Sequence, residues 1–271
     1  MLLDLNEKGT YIQVGPASVV VTVKKDGKNI KEAEFECSKF LKNILVEVSN
    51  FKEILKLKAF KININKKNIP EIVKKTVNAS NLIDGKELTP MSAVAGAVSE
   101  ILLEWISDRY EYDKIIVNNG GDIAVDFKDS VKLLVGDNLK ISVKSSSVKG
   151  IATSGFGGRS LSKGIADYVT VFAESASVAD AAATYIANSV YFKSNKIELC
   201  FAHELDKNTD LKGELVVKNI GNLDKTEIDR AVENGIKTAE ILVKQNKILG
   251  AIIKKQKILK YTKDINNFLK I

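Results

Sequence analysis

The stretch Ile115–Phe127, IIVNNGGDIAVDF, constrains the fold of this chain more than any other. Two apolar runs meet at a turn over Asn118–Asp122, and Asn-Gly-Gly-Asp supplies the residues that tolerate the positive φ angles of a tight hairpin. A chain built around such a hairpin belongs in an antiparallel sheet. Other strand patterns surround it: Ala17–Val23 with a turn at Asp26-Gly27, then 131–135, 139–143, Tyr168–Ala173, Ile197–Ala202, Glu214–Lys218 and Leu249–Ile253. Helical periodicity runs from about Ile30 to Lys56, where Cys37, Phe40, Leu41, Ile44, Leu45, Val48, Phe51 and Leu55 recur at threes and fours. A short helix is predicted at Asn68–Asn78 with Pro70 in its first turn, followed by a polar loop over 79–88. Further helices begin at Thr89-Pro90, after Ser175, and near Lys225, where Asp224 and Glu227 have the spacing of a capping box. Strands and helices mingle without a regular βαβ repeat. The fold class is therefore α+β, a mixed, largely antiparallel sheet packed with helices. No linker or repeat divides residues 1–271, so a single domain is expected, with a basic tail that frays.

The richest stretch for chemistry is Lys149–Asn188. Gly155, Gly157 and Gly158 let backbone amides approach an anion, and Thr153, Ser154, Ser160 and Ser162 add hydroxyl donors. Arg159 adds a planar cation suited to a phosphate or carboxylate. Only Arg109, Arg159 and Arg230 are arginines among 41 basic residues, so one placed in a glycine loop suggests a geometric need, which a salt bridge would also meet. After the strand, Asp180 and Thr184 stand four apart on one helix face, where a carboxylate and a hydroxyl can meet a hard divalent cation. The plainer alternative has Asp180 capping its own helix behind Ser175 or Ser177. In TPMSAVAGAVSEILLEWI, from Thr89, small residues make the first helical turns slender. This admits either a ligand at a helix N-terminus or close packing against another element. At the hairpin tip, Asn119 or Asp122 could reach a ribose or base.

Composition removes several classes. The net charge is +7, but the lysines are dispersed through amphipathic segments with no aromatic-basic groove, which argues against nucleic acid. Cys37 and Cys200 fit no zinc or redox spacing and read as packing residues. His203 is the only histidine, so a histidine-built metal cluster is excluded and a Ser-His-Asp triad would have to use it. With no apolar run of membrane length and no signal pattern, the expectation is a soluble cytoplasmic protein without a membrane partner.

Four blocks together, Thr89–Glu100 (TPMSAVAGAVSE), Val117–Ile123 (VNNGGDI), Gly150–Asp167 (GIATSGFGGRSLSKGIAD) and Val178–Asn188 (VADAAATYIAN), resemble the ApbE-like superfamily. The likeness is to its uncharacterised single-domain branch, related to the FAD:protein FMN transferases, with the motif-bearing core over about 89–190. The resemblance implies a metal, Mg2+ by preference, at Asp180 and Thr184. It also implies a flavin nucleotide site, for FAD or FMN, lined by Asn119, Gly120, Gly121, Asp122, Thr153, Ser154 and Gly155. Arg159 and Ser160 join that set from the reading of the loop, and a homodimer is a further implication.

The departures narrow the activity. Flavin transferases carry a histidine-aspartate-proline-threonine-glycine segment where this chain has SLSKGIAD, so their catalytic histidine has no counterpart and the transferase reaction is not expected in its standard form. Members of the single-domain branch often carry a cysteine and a histidine where this chain has Ala152 and Arg159, and some are connected with sulfur assimilation. A sulfur- or cofactor-related enzyme is therefore a second reading, one that needs Cys37 or Cys200 exposed with a lowered pKa. A structural protein with a vestigial cleft is a third.

Overall fold

The computed structural model describes every residue except 1, 7, 8, 66, 138, 159 and 271, with side chains described from residue 9 onward. Its frame is a ten-stranded sheet in which every recorded pairing is antiparallel. The strands are β1 (Leu2–Asn6), β2 (Gly9–Val14), β3 (Ala17–Lys25), β4 (Lys28–Asn29), β5 (Lys114–Asn119) and β6 (Asp122–Phe127). After β7 (Val131–Val135) and β8 (Leu139–Val143) come β9 (Gly150–Ser154) and β10 (Tyr168–Ala173). The hairpin β11 (Ile197–Phe201) and β12 (Leu215–Ile220) follows, then β13 (Gly250–Lys255), β14 (Ile258–Tyr261) and β15 (Leu269–Lys270). The large sheet runs β1-β2-β3-β5-β6-β9-β10-β13-β14, with β4 on β3. A three-stranded sheet, β15-β8-β7, and the β11-β12 hairpin stand apart from it.

Period-two alternation sends the two faces of the large sheet into different layers. On one face Val19, Val21, Ile115, Val117, Ala124, Ala152, Val169, Val171, Ala251 and Ile253 pack under helices. Those helices are α1 (Lys31–Asn50), the short α2 (Lys52–Leu55), α3 (Glu71–Asp84), α4 (Val94–Ser107), α5 (Ala176–Ser189) and α7 (Lys225–Lys244), while the short α6 (Ala202–Leu205) packs against the β11-β12 hairpin. On the other face Ile123, Val125, Ile151, Phe172 and Ile252 pack against Val131, Val135, Ile141 and Val143 of the small sheet and against Phe268. Phe172 is fully buried there, with its ring 5.7 Å from that of Phe268.

The observed architecture is the α+β arrangement that the hairpin patterns imply. The 131–135 and 139–143 strands have the predicted bounds, and α7 opens on the predicted box. Asp224 accepts from the Glu227 amide, and the Glu227 carboxylate accepts from the Asp224 amide, both at 2.9 Å. Two expectations fail. Residues 79–84 continue α3 instead of forming a loop, because Ala79, Ser80 and Ile83 extend its buried face. The basic tail does not fray: β14 pairs with β13, and β15 completes the small sheet. Its lysines alternate with Ile258, Ile265, Phe268 and Leu269, and these apolar residues decide the outcome.

Candidate functional site

The site begins where the N-termini of α4 and α5 lie side by side. Two helix N-termini in contact bring unpaired amides and partial positive charge together, which requires acceptors. Each helix supplies one to the other. Ala93, at the N-cap of α4, has no side chain to cap with. Instead, Asp180 Oδ2 on α5 accepts from the Gly96 amide at 2.8 Å, in a buried bond. In return, Glu100, one turn further along α4, accepts from the Ser177 amide at 3.0 Å, Ser175 Oγ at 2.6 Å and Ser177 Oγ at 2.9 Å. Lys75 on α3 closes the cluster with an ion pair to Glu100 at 2.7 Å. Burial pushes the Glu100 carboxyl up, but its hydrogen bonds from Lys75, Ser175 and the Ser177 amide, with the Lys75 charge, leave it below the ordinary value.

This exchange requires near contact of the two backbones. A Cβ on Gly96 would lie 2.2 Å from the Ala176 carbonyl oxygen and 2.8 Å from Asp180 Cβ. The slender start of α4 is thus explained by close helix packing, and the Gly96 amide is already engaged by a carboxylate. Asp180 does not cap its own helix; Ser175 does, accepting from the Val178 amide. Thr89 does not cap α4 either. It precedes a 3-10 turn over Pro90–Ala93, and its hydroxyl donates to Asp210.

The hairpin tip meets the same helical turn. Asn119 pairs with Asp122 across β5 and β6, with Gly120 and Gly121 at φ +66° and +111° between them. Asn118 Oδ1 accepts from the Gly121 amide at 2.8 Å and fixes the turn. Asn119 and Asp122 are buried on the helix-facing side. Asn119 Nδ2 donates to the Ala95 carbonyl at 3.4 Å, and Ser99 Oγ donates to the Asp122 carbonyl at 2.7 Å. Asn119 and Asp122 on the hairpin and Asp180 on α5 therefore converge on the first turns of α4.

The glycine loop divides. Ala152 packs toward α5, and alternation turns Ser154 to the same side. Thr153 points the other way: its hydroxyl lies 2.9 Å from that of Thr170, the residue opposite it on β10, on the face shared by Ile151 and Phe172. Gly155 is buried beside the Asp167 backbone, and the Phe156 amide donates to the Ala166 carbonyl at 2.7 Å. Gly157, Gly158 and Ser160 are exposed; Arg159 lies outside the described residues. Asp167 is tied to the β13–β14 turn by Lys255 at 2.7 Å and the Gln256 amide.

Asp180 is 9% exposed, and Thr184, one turn further along α5, is half-buried. Together they offer two hard oxygen donors. Among the described residues no group of three His, Cys, Asp or Glu side chains is placed to hold a metal. Such a pair does not by itself make a closed metal cage. His203 sits on exposed α6 with its ring stacked 5.5 Å from Phe201. Both thiols are buried, and burial followed by the Glu34 charge pushes Cys37 up to about 12. With both buried, the exposed thiol required by the sulfur reading is absent.

Sequence reasoning missed Glu100. The available signal was its i+4 spacing from Gly96, which puts an acid on the face of α4 carrying the tightest packing. Nothing in the sequence indicates that this face meets the start of α5.

The antiparallel sheet under one helical layer is an architecture that this chain shares with solved flavin transferases. The flavinyl transferase ApbE of Pseudomonas stutzeri superposes with a TM-score of 0.54 at 13% identity, over 99% of this chain and 97% of its own. The flavin transferase ApbE of Vibrio cholerae gives 0.51 at 12% identity, over 98% of each chain. The family model described as AbpE bacteria matches residues 3–264, and the chain belongs to that family. A UPF0280 protein of Methanobrevibacter smithii is 31% identical over 229 residues, covering 79% of this chain and 92% of its own length. One from Methanococcus vannielii is 44% identical over 130 residues, 44% of this chain and 51% of its own. Among the described residues no helix is long and apolar enough to cross a membrane.

Proposed function

We propose that the α4–α5 junction and the β5–β6 hairpin form a binding site for a flavin, another nucleotide or a related phosphorylated ligand, with Mg2+ held by Asp180 and Thr184. The observation that carries this reading is the convergence of Asn119 and Asp122, from the β5–β6 hairpin, and Asp180, from α5, on the first turns of α4. Asn119 and Asp122 would bind ribose or base atoms, and Gly120 and Gly121 carry no Cβ to obstruct close approach. Ser154, Gly155, Arg159 and Ser160 would meet the phosphates, while Thr153 would act through the strand it fixes. A cation bound here neutralises charge on a phosphoryl group. The solved relatives are flavin transferases by name, and the ligand class is extended to this chain by fold and family. The transferase reaction itself is not proposed, because SLSKGIAD offers no histidine and the only one stands on exposed α6.

A purely structural role for Asp180 has one observation in its favour, the bond to the Gly96 amide. Thr184 separates the two, since no part of that bond depends on it. The test is thermal unfolding with FAD, FMN, ADP or AMP, with and without Mg2+, for wild type, Asp180→Asn and Thr184→Val. Ligand at ~100 times its dissociation constant stabilises by about 2.7 kcal/mol, a rise of roughly 5–10 °C in Tm for a chain of this size. A Mg2+-dependent rise in wild type that both variants lose supports the site. No rise with any of the four leaves Asp180 as a cap.

A further inference from the structure

A second cleft lies on the sheet face opposite the helices, independent of the site above. The edge strand β7 and the open face of β3 and β5 bound a cavity of about 260 Å3 lined by Lys24, Lys114, Ile116, Ser130, Val131 and Lys132. Lys24 and Lys114 are directly opposite each other across β3 and β5. Val21, Val23, Ile115 and Val117 face the helices, so alternation turns both lysines to the open face. Like charges facing each other across antiparallel strands repel. Among the described residues Lys24, Lys114 and Lys132 make no ion pair: Asp129, beside Ser130, pairs with none of them, and Asp113, Glu111 and Asp126 are engaged by other lysines. Asp113 accepts from Lys128 and the Asp26 amide, Glu111 pairs with Lys25, and Asp126 accepts from Lys149 and Tyr112.

Three uncompensated ammonium groups around one cavity, with the Ser130 hydroxyl among its lining residues, call for an anion. We propose that this cleft binds a small phosphate-bearing anion through Lys24, Lys114 and Lys132. Lysine is a compact point charge with three donors, suited to phosphate oxygens approached from several sides. Lys132 also borders a neighbouring cavity of about 390 Å3 that Lys140 and Lys270 line. The positive field thus continues over β7, which favours anions carrying more than one phosphate.

The test uses the full chain in EDTA, with pyrophosphate, inorganic phosphate or sodium chloride at equal ionic strength. Pyrophosphate is expected to raise the wild-type unfolding midpoint more than phosphate, and chloride to have no specific effect. The double variant Lys24→Gln, Lys114→Gln should be no less stable than wild type without anion, since a repulsion is removed. Its affinity for pyrophosphate should fall by about tenfold or more through the loss of two charged hydrogen-bond donors. Lys42→Gln, at an exposed position of α1, removes one charge elsewhere and should retain wild-type affinity. In unmutated protein, pyrophosphate should protect Lys24, Lys114 and Lys132 from acetylation, read by peptide mass spectrometry. Pyrophosphate stabilisation no greater than that of chloride, stabilisation undiminished in the double variant, or acetylation of the three lysines unaffected by pyrophosphate would overturn the proposal.

Discussion

At the scale of residues, Gly96 and Asp180 decide whether α4 and α5 can touch. Replacing Gly96 with alanine puts a methyl group 2.2 Å from a carbonyl oxygen, and the backbone must move to accept it. Overpacking of this kind costs about 1–3 kcal/mol, so Gly96→Ala should lower the urea midpoint by that free energy divided by the m-value. Asp180→Ala leaves the Gly96 amide without its acceptor, at about 1–3 kcal/mol. Asp180→Asn keeps an acceptor and should cost less. A loss of stability in Asp180→Asn as large as in Asp180→Ala would show that charge at the helix end, and not the hydrogen bond, is the main contribution. Both residues stood out in the sequence as an acid and a glycine among alanines. Their mutual contact was hidden, because 84 residues separate them and nothing in local periodicity specifies which helices become neighbours.

At the scale of elements, the Glu100 carboxylate makes the α4–α5 pair sensitive to acid. The Glu100 pKa in the folded chain is depressed below the ordinary 4.5, so its stabilisation is complete above that value and is lost as pH falls through the folded pKa. Glu100→Gln should lower stability at neutral pH and flatten the fall seen in wild type below about pH 5, as read from denaturation midpoints across pH. An unchanged acid limb would remove Glu100 from the account. Elements whose signals are local were legible: the β5–β6 hairpin from Asn-Gly-Gly-Asp, the start of α7 from Asp224 and Glu227, and α1 from its apolar stripe. Elements fixed by tertiary packing were not. The last turns of α3, the return of the tail as β14 and β15, and the outward turn of Thr153 toward Thr170 all depend on partners distant in sequence.

At the scale of the whole molecule, the large sheet separates two environments, a helix-covered face carrying the candidate nucleotide site and a face partly covered by the small sheet, with the lysine cleft beside β7. Both cysteines are buried, which leaves no accessible thiol on either face. A thiol reagent should therefore react with neither in the native state and with both after unfolding; rapid labelling of native Cys200 would reopen thiol chemistry. The central claim is that Asp180 and Thr184 hold a divalent cation together with a phosphorylated ligand. Electron paramagnetic resonance of Mn2+, substituted for Mg2+, measures this most directly. With ADP or FAD present, wild-type protein should take up Mn2+ in excess of the ligand alone, and Thr184→Val, with its α4–α5 contact intact, should not. Equal uptake by the two proteins, or none by wild type, would contradict the account.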